Sequence, residues 1–316
     1  MTPDRPEPRF DLAETERRLD RNRTDSAAML AKADHLLLAG DLRGAGAWYR
    51  GVVNLAFEGR AVSFGERAKA EAAVEWIGRR QRQLLLEGLD QAGLTRAERH
   101  PRFQQSLEIM LGERARASDG GKYPQLPQTY YYPDMPYVQF ADPADYPWRE
   151  GLEAKTDTIL AEALNLLADQ QAFTPYAKLQ EGRPQGDVHG LLGNADWSTW
   201  ELTDKGAPLP ERTARTPQTH AALEGQVPLC RIPNRAPTPM FSLLRPHSRI
   251  PAHTGMINAR FICHLPLVVP PGCGFRVGEE TREWKVGELM VFDDSVEHEA
   301  WNDSDHDRMV LIFDVW

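Results

Sequence analysis

From about residue 195 onward the chain is a succession of short apolar runs: MFSLLRP, ARFICHLPLVV, GFRVG, TREWKV, ELMVFD and MVLIFDVW. They are rich in β-branched and aromatic residues and are punctuated by Gly, Pro and Asp, the residues that turn a chain. Segments this short are strands rather than helices. So many in series predict an antiparallel barrel or jelly roll, and that expectation constrains everything else.

The first third has a different texture. Residues 10 to about 118 read as helices. In AAMLAKADHLLLAGDLRGAGAWYRGVVNLA, apolar residues recur at helical spacing on both sides of a break at Gly40-Asp41. With small residues at Ala33 and Ala45 and aromatics at Trp48 and Tyr49, this helix–turn–helix resembles one tetratricopeptide-type unit. A repeat array needs about three such units, so a plain helical hairpin is the simpler reading. Further helices are predicted over 66–92 and, starting from a cap at Thr95, over about 95–116. The Pro-, Gly- and Tyr-rich stretch GGKYPQLPQTYYYPDMPYVQFADPADYPW then breaks the pattern, and one more amphipathic helix comes after it at about 147–169. Helices first and strands afterwards predict an α+β chain. Its expected parts are a helical, possibly tetratricopeptide-like region over 1–125 and a jelly-roll domain over 126–316.

Composition narrows the function. A formal net charge of -9 argues against an extended nucleic-acid footprint. No apolar run of about 18 residues is present to cross a membrane, and the polar start MTPDRPEPRFDLAETERRLD lacks the apolar centre of a signal peptide. Cys230, Cys263 and Cys273 cannot all pair within one chain and fit no zinc spacing. A reducing, cytoplasmic setting is the expectation.

Two histidines draw attention. His253 stands in PAHTG at the edge of a predicted strand, and His298 stands in DDSVEHEAW, 45 residues later. Strands that far apart in sequence can face each other across the mouth of a jelly roll. Two imidazoles brought together there suit Fe(II), which non-haem oxygenases bind with two His and one carboxylate. The usual H-x-D or H-x-E is missing, since residue 255 is Gly. Arg308 opens the last strand and Ser242 lies on the strand before His253; a guanidinium fork and a hydroxyl could hold the far carboxylate of a dicarboxylate. On these residues alone the plainer alternatives stand: histidines that are merely surface groups, and an Arg308 that is a solvated charge after DSDHD.

The motifs together decide more than any one of them. P-x-H-T-G, N-A-R, C-H-L, R-V-G-x-E-T-R-x-W, V-F-D-D-S-x-E-H-E-x-W-N and F-D-V-W occur in order through 241–316, with weaker pieces at 130–148 and 195–206. This stretch resembles the core of the aspartyl/asparaginyl β-hydroxylase family. The resemblance implies a double-stranded β-helix fold and an enzyme, a 2-oxoglutarate-dependent dioxygenase. Its cofactors would be Fe(II), 2-oxoglutarate as cosubstrate, and O2. The family binds iron with two histidines and no carboxylate, so Gly255 is what the resemblance leads one to expect. By position His253 and His298 take the iron-ligand and catalytic roles. Ser242 and Arg308 match the residues that hold the 2-oxoglutarate side-chain carboxylate, His264 lies beside the cosubstrate, and Trp197 lines its pocket. Arg260 matches an arginine that faces an acidic substrate.

Two departures bear on substrate. Ile262 stands where the family pattern R-L-R-x-H-L carries a second Arg, and HGLLGNAD before Trp197 contains no Arg. With part of the basic clamp gone, an aspartate side chain would be held less well. The first expectation is therefore hydroxylation at the β-carbon of Asp, Asn or a similar residue in a peptide or protein. A free amino acid or peptide natural product is the alternative substrate, and a non-catalytic cupin-like binding protein is the alternative class. The N-terminal helices could present a peptide, dimerise or act as a scaffold.

Overall fold

The computed structural model describes residues 11–117, 121–169, 172–178, 184 and 190–316. They form two compact units, the first reaching Arg99 and the second beginning at His100.

The first unit holds helices α1 (Leu12–Arg21), α2 (Ser26–Leu38), α3 (Leu42–Phe57) and α4 (Phe64–Gln91). The break between α2 and α3 falls where expected. Gly40 takes the left-handed conformation (φ +84°) and the Asp41 side chain caps α3 by accepting from Gly44 N. Ser63 and Glu66 form a reciprocal capping box at the start of α4. Ala33, Ala45, Tyr49, Val52, Ala70 and Ile77 are buried in this unit's core; Ala33 and Ala45 let α2 and α3 approach closely. The α2–α3 hairpin carries the tetratricopeptide likeness alone, for its neighbours α1 and α4 have 10 and 28 residues against its own 13 and 16.

The second unit begins earlier than the boundary expected at 125/126. Its first helix, α5, spans Pro101–Met110 rather than 95–116. Proline at the first helical position suits a start there and disfavours helix in the residue before it. Thr95 caps only a single turn, with Glu98. The chain divides near residue 100 because α5 is tied to the segment around residues 130–133. Ser106 meets the Tyr130 hydroxyl, and Arg102 donates to Pro133 O at 2.7 Å. The helix expected at 147–169 is two helices, α6 (Arg149–Glu153) and α7 (Thr156–Ala168). At the break the Thr156 hydroxyl takes the Glu153 carbonyl at 2.6 Å, competing with the helical ladder. Two short helices come later, α8 (Pro210–Thr213) and α9 (Pro217–Gln226).

The described strands are β1 (Phe140–Ala141), β2 (Thr174–Pro175), β3 (Trp197–Glu201), β4 (Thr203–Asp204), β5 (Ala207–Pro208), β6 (Met240–Leu244), β7 (Ser248–His253), β8 (Phe261–Val268), β9 (Cys273–Val277), β10 (Glu280–Arg282), β11 (Met290–Phe292), β12 (His298–Asn302) and β13 (Arg308–Val315). A seven-stranded sheet runs β1-β11-β8-β13-β6-β3-β2 and a four-stranded one β10-β9-β12-β7, with β4 and β5 a separate hairpin. Four strands of the large sheet, β11-β8-β13-β6, face the four of the small one. This is the jelly roll that the run pattern predicted, in the double-stranded β-helix arrangement that the resemblance implied.

Strand alternation sorts the large sheet's residues into two layers. Phe241, Leu243, Cys263, Leu265, Leu267, Met309, Leu311 and Phe313 point outward, those in its core packing with Leu152, Ile159, Ala163, Leu166 and Leu223 of α6, α7 and α9. Leu244, Val310 and Phe292 point inward against Ile250, Phe275, Val277 and Ala300 of the small sheet. Residues two places from these inward ones, Ser242, Arg308 and Ile312 among them, share the inner face. The strand period therefore delivers polar groups into the barrel.

Candidate active site

The inner face of the large sheet carries four of the expected residues. Val310 pairs with Ser242, Ile312 with His264, Arg308 with Leu244, and Leu244 with Trp197. Ser242 is fully buried and its hydroxyl accepts from Trp197 Nε1 at 3.2 Å. Arg308 is 1% exposed, and its Nη1 reaches Ser242 O at 3.4 Å. Its guanidinium lies 4.8 Å over the ring of Trp284. Arg308 Nε has no hydrogen-bond partner, and among the described residues no carboxylate pairs with it. Burial accordingly pulls its pKa down to about 10. Burying an arginine without an anion is costly, and an anion reaching this face would offset that cost.

The small sheet supplies the histidines, through an irregularity. His298 is directly opposite His253, but Ala300 is opposite Ile250. One extra residue in β7 therefore bulges against Glu299, turning both Ile250 and His253 inward. Pro251 sits in that bulge, where a ladder N–H is dispensable. The two rings lie 4.2 Å apart between centroids. Each Nδ1 faces a carbonyl two residues back: His253 to Pro251 O at 2.8 Å and His298 to Val296 O at 3.0 Å. A carbonyl only accepts, so each Nδ1 carries the proton and each Nε2 presents a lone pair, the tautomer a metal requires. Burial, then the neighbouring His253, push His298 down to about 3, so its imidazole is neutral across the physiological range. Among the described residues no group of three His, Cys, Asp or Glu forms a metal site.

Gly255 shows why no carboxylate completes a triad. A Cβ there would stand 1.8 Å from Asp294 Oδ2, and Gly255 N donates to Asp294 O at 2.6 Å. The space a ligand side chain would need is filled by Asp294.

The remaining neighbours are partly those expected. His264 is buried, accepts at Nδ1 from Trp284 Nε1 at 3.3 Å, and lies among the rings of Phe275, Phe292 and Trp284 in tilted and edge-on contacts; burial keeps it neutral, with its pKa well below normal. Trp197 stacks on Tyr176 with centroids 4.0 Å apart and lies 6.2 Å from the His253 ring. Arg260 is already engaged: Nη2 meets Asp294 Oδ2 at 3.1 Å and Nε lies 3.9 Å from Asp314 Oδ2, while Nη1 has no partner. Ile262 pairs with Phe292 and packs against the inner core.

Trp284 and Asp294 enter the sequence reading only as motif positions without a role, and Tyr176 does not enter it. Trp284 stands between strands, where no alternation marks it. Asp294 was visible only as one acid of DDS, four residues before His298.

The family model for aspartyl/asparaginyl beta-hydroxylase matches residues 153–316, just over half of the chain. The chain belongs to that family. Among curated family relatives, an ornithine lipid ester-linked acyl 2-hydroxylase of Rhizobium tropici is 31% identical over 55% of this chain and 58% of its own. The aspartyl/asparaginyl beta-hydroxylase of Mus musculus is 37% identical over 40% of this chain and 17% of its own. The aspartate beta-hydroxylase domain-containing protein 2 of Homo sapiens is 32% identical over 61% and 51%. The chain thus spans less than two thirds of each of these family members.

Proposed function

We propose that the chain is an Fe(II)- and 2-oxoglutarate-dependent hydroxylase acting at an unactivated C–H bond. The observation that carries this is Arg308, buried beside Ser242 with no carboxylate partner among the described residues, on a face that also bears His264 and looks toward two histidines with matched tautomers. His253 and His298 would hold the iron through Nε2, and Arg308 with Ser242 would hold the far carboxylate of 2-oxoglutarate. When bound, that pair with O2 supplies the oxidising power. The chain's own residues position and enclose. The carbonyls of Pro251 and Val296 fix the two imidazoles, Trp197 orients the Ser242 hydroxyl, and Phe275, Phe292 and Trp284 keep water from the inner face.

For substrate, a side chain of a peptide or protein comes first, at the β-carbon of Asp or Asn. Arg260 has its charge balanced by Asp294 and Asp314, and Ile262 is apolar, so a neutral Asn-like group is favoured over an acidic one. A lipid acyl chain is the second reading, supported by the name of the Rhizobium relative and by exposed Leu126 and Met256, whose backbones meet the histidine loops.

Anaerobic titration of Fe(II) and 2-oxoglutarate tests the cofactor reading: a visible charge-transfer band should form in the wild type and vanish in His253→Ala. No band in folded wild type would leave a cupin-like binding protein instead. Incubation with Asn-peptides, Asp-peptides and acyl lipids, with mass measurement for one added oxygen, separates the substrate classes.

A further inference from the structure

The family match begins at residue 153, yet the segment before it reaches the candidate site. Residues 125–132 run along the two loops that adjoin the histidines. Leu126 N donates to Ser295 O at 2.7 Å, Gln128 N to Gly255 O at 2.9 Å and Thr129 N to Met256 O at 2.9 Å. The Gln128 side chain adds a bond to Thr254 O at 2.7 Å. These bonds are enough to anchor the segment.

The side chain of Gln125 does something more specific. It is 4% exposed. Its amide nitrogen donates to Asp293 Oδ2 at 2.7 Å and to Pro136 O at 3.1 Å, and its amide oxygen accepts from Asn258 Nδ2 at 2.9 Å. Asn258 is itself buried and exchanges two bonds with the Tyr132 backbone, at 2.7 and 2.9 Å. At the other end Asp293 Oδ1 accepts from Ser295 N at 2.9 Å. Asp293 stands five residues before His298 and Asn258 five after His253. A single buried amide thus joins the loop leading into one histidine to the loop leaving the other.

We infer that Gln125 is a positioning residue for the metal site: it holds the two histidine loops at a fixed separation. The inference rests on the reading of His253 and His298 as ligands. Its polarity is dictated by chemistry, because the Asp293 carboxylate only accepts and must face the amide nitrogen. Buried polar chains tolerate no mismatch, since an unpaired or opposed group costs its full desolvation. Exchanging donor and acceptor between positions 125 and 293 should therefore restore the bond between them and the one from Asn258, but not the bond to Pro136 O, and so recover part of what a single exchange breaks.

The test is an anaerobic titration of Co(II) alone, read by its visible d–d absorption, with thermal unfolding of the metal-free protein recorded alongside. Wild type should saturate and His298→Ala should not. Gln125→Glu and Gln125→Met should each weaken Co(II) binding about tenfold, in line with the 10–100-fold effect of outer partners on metal sites. The exchange variant Gln125→Glu/Asp293→Asn should recover at least about threefold of that loss. Wild type that binds no Co(II), or binds it as His298→Ala does, overturns the metal site and the inference together. A His298-dependent site whose affinity is unchanged in folded Gln125→Glu and Gln125→Met overturns the inference alone, whatever happens to Tm. If Gln125→Glu does not fold, Gln125→Met and the exchange variant decide.

Discussion

His253 and His298 stand directly opposite one another across β7 and β12, although Ile250 and Ala300 are also directly opposed. Three residues of advance on one strand match two on the other, so the bulge at Pro251 is what aims His253 inward. The meeting of the two proposed ligands depends on this one extra residue. Replacing either histidine with alanine should reduce Co(II) or Fe(II) affinity by at least about 100-fold, beyond the usual effect of losing an outer partner. Equilibrium dialysis measures this directly, and retention of near-normal affinity by His298→Ala would place the metal elsewhere.

The contact between Gly255 and Asp294 predicts the failure of an obvious redesign. Gly255→Asp would write the common H-x-D motif into the sequence. A Cβ at 255 has no room, with the Asp294 carboxylate 1.8 Å from its position. The substitution should therefore destabilise the fold by about 1–3 kcal/mol, the usual range for overpacking, without tightening metal binding. Gly255→Ala should show most of the same loss by denaturant unfolding. A stable Gly255→Asp with improved iron affinity would contradict the packing described.

Asp294 predicts a pH dependence. Burial, partly offset by Arg260, raises its carboxyl to about 6. The folded chain then holds a proton there that the unfolded chain has released, between about pH 4 and pH 6. Stability contributed by this group is accordingly complete below the unfolded value and falls as pH rises through that window. The change is on the order of 2–3 kcal/mol for a shift of this size. Asp294→Asn has no proton to lose, so its stability should fall less than that of wild type from pH 4 to pH 6. Parallel unfolding curves of the two proteins over that range would remove Asp294 from the account.

The candidate residues were legible in the sequence through the family resemblance, and strand parity accounts for where the structure puts three of them. Ser242, Arg308 and His264 fall on the inner face once neighbouring apolar residues define the outer one. The expected jelly roll and the Gly40-Asp41 break also come from local composition. What could not be read depends on counting that local patterns hide. The bulge in β7 changes parity without any marker except Pro251. Trp284 reaches His264 and Arg308 from a stretch without alternation, and Gln125 reaches Asp293 across 168 residues of sequence. The helices predicted at 95–116 and 147–169 overran because periodicity continued past Pro101 on one side and past the Thr156 hydroxyl on the other. Arg260 matches a substrate-facing arginine by position; its ion pair with Asp294 is a loop-to-loop contact that no spacing reveals.

Arg308 separates what serves the fold from what serves the ligand. A buried guanidinium without a carboxylate destabilises the ligand-free protein, and replacing such a group with an apolar side chain of similar length is often neutral or stabilising. Arg308→Met should therefore leave the metal-free protein at least as stable as wild type, with Val310, Trp284 and Leu244 accepting the added apolar surface. The same variant should lose the rise in Tm that 2-oxoglutarate gives to wild type in the presence of Co(II), since the ligand stabilises by binding the folded state alone. Arg308→Lys keeps the charge but not the planar fork and should retain only part of that rise. Thermal unfolding with and without 2-oxoglutarate reads both effects in one experiment. If Arg308→Met instead lowers the Tm of the ligand-free protein by many degrees while keeping the full ligand-induced rise, the arginine is a structural residue and the cosubstrate anchor must be sought elsewhere on the inner face.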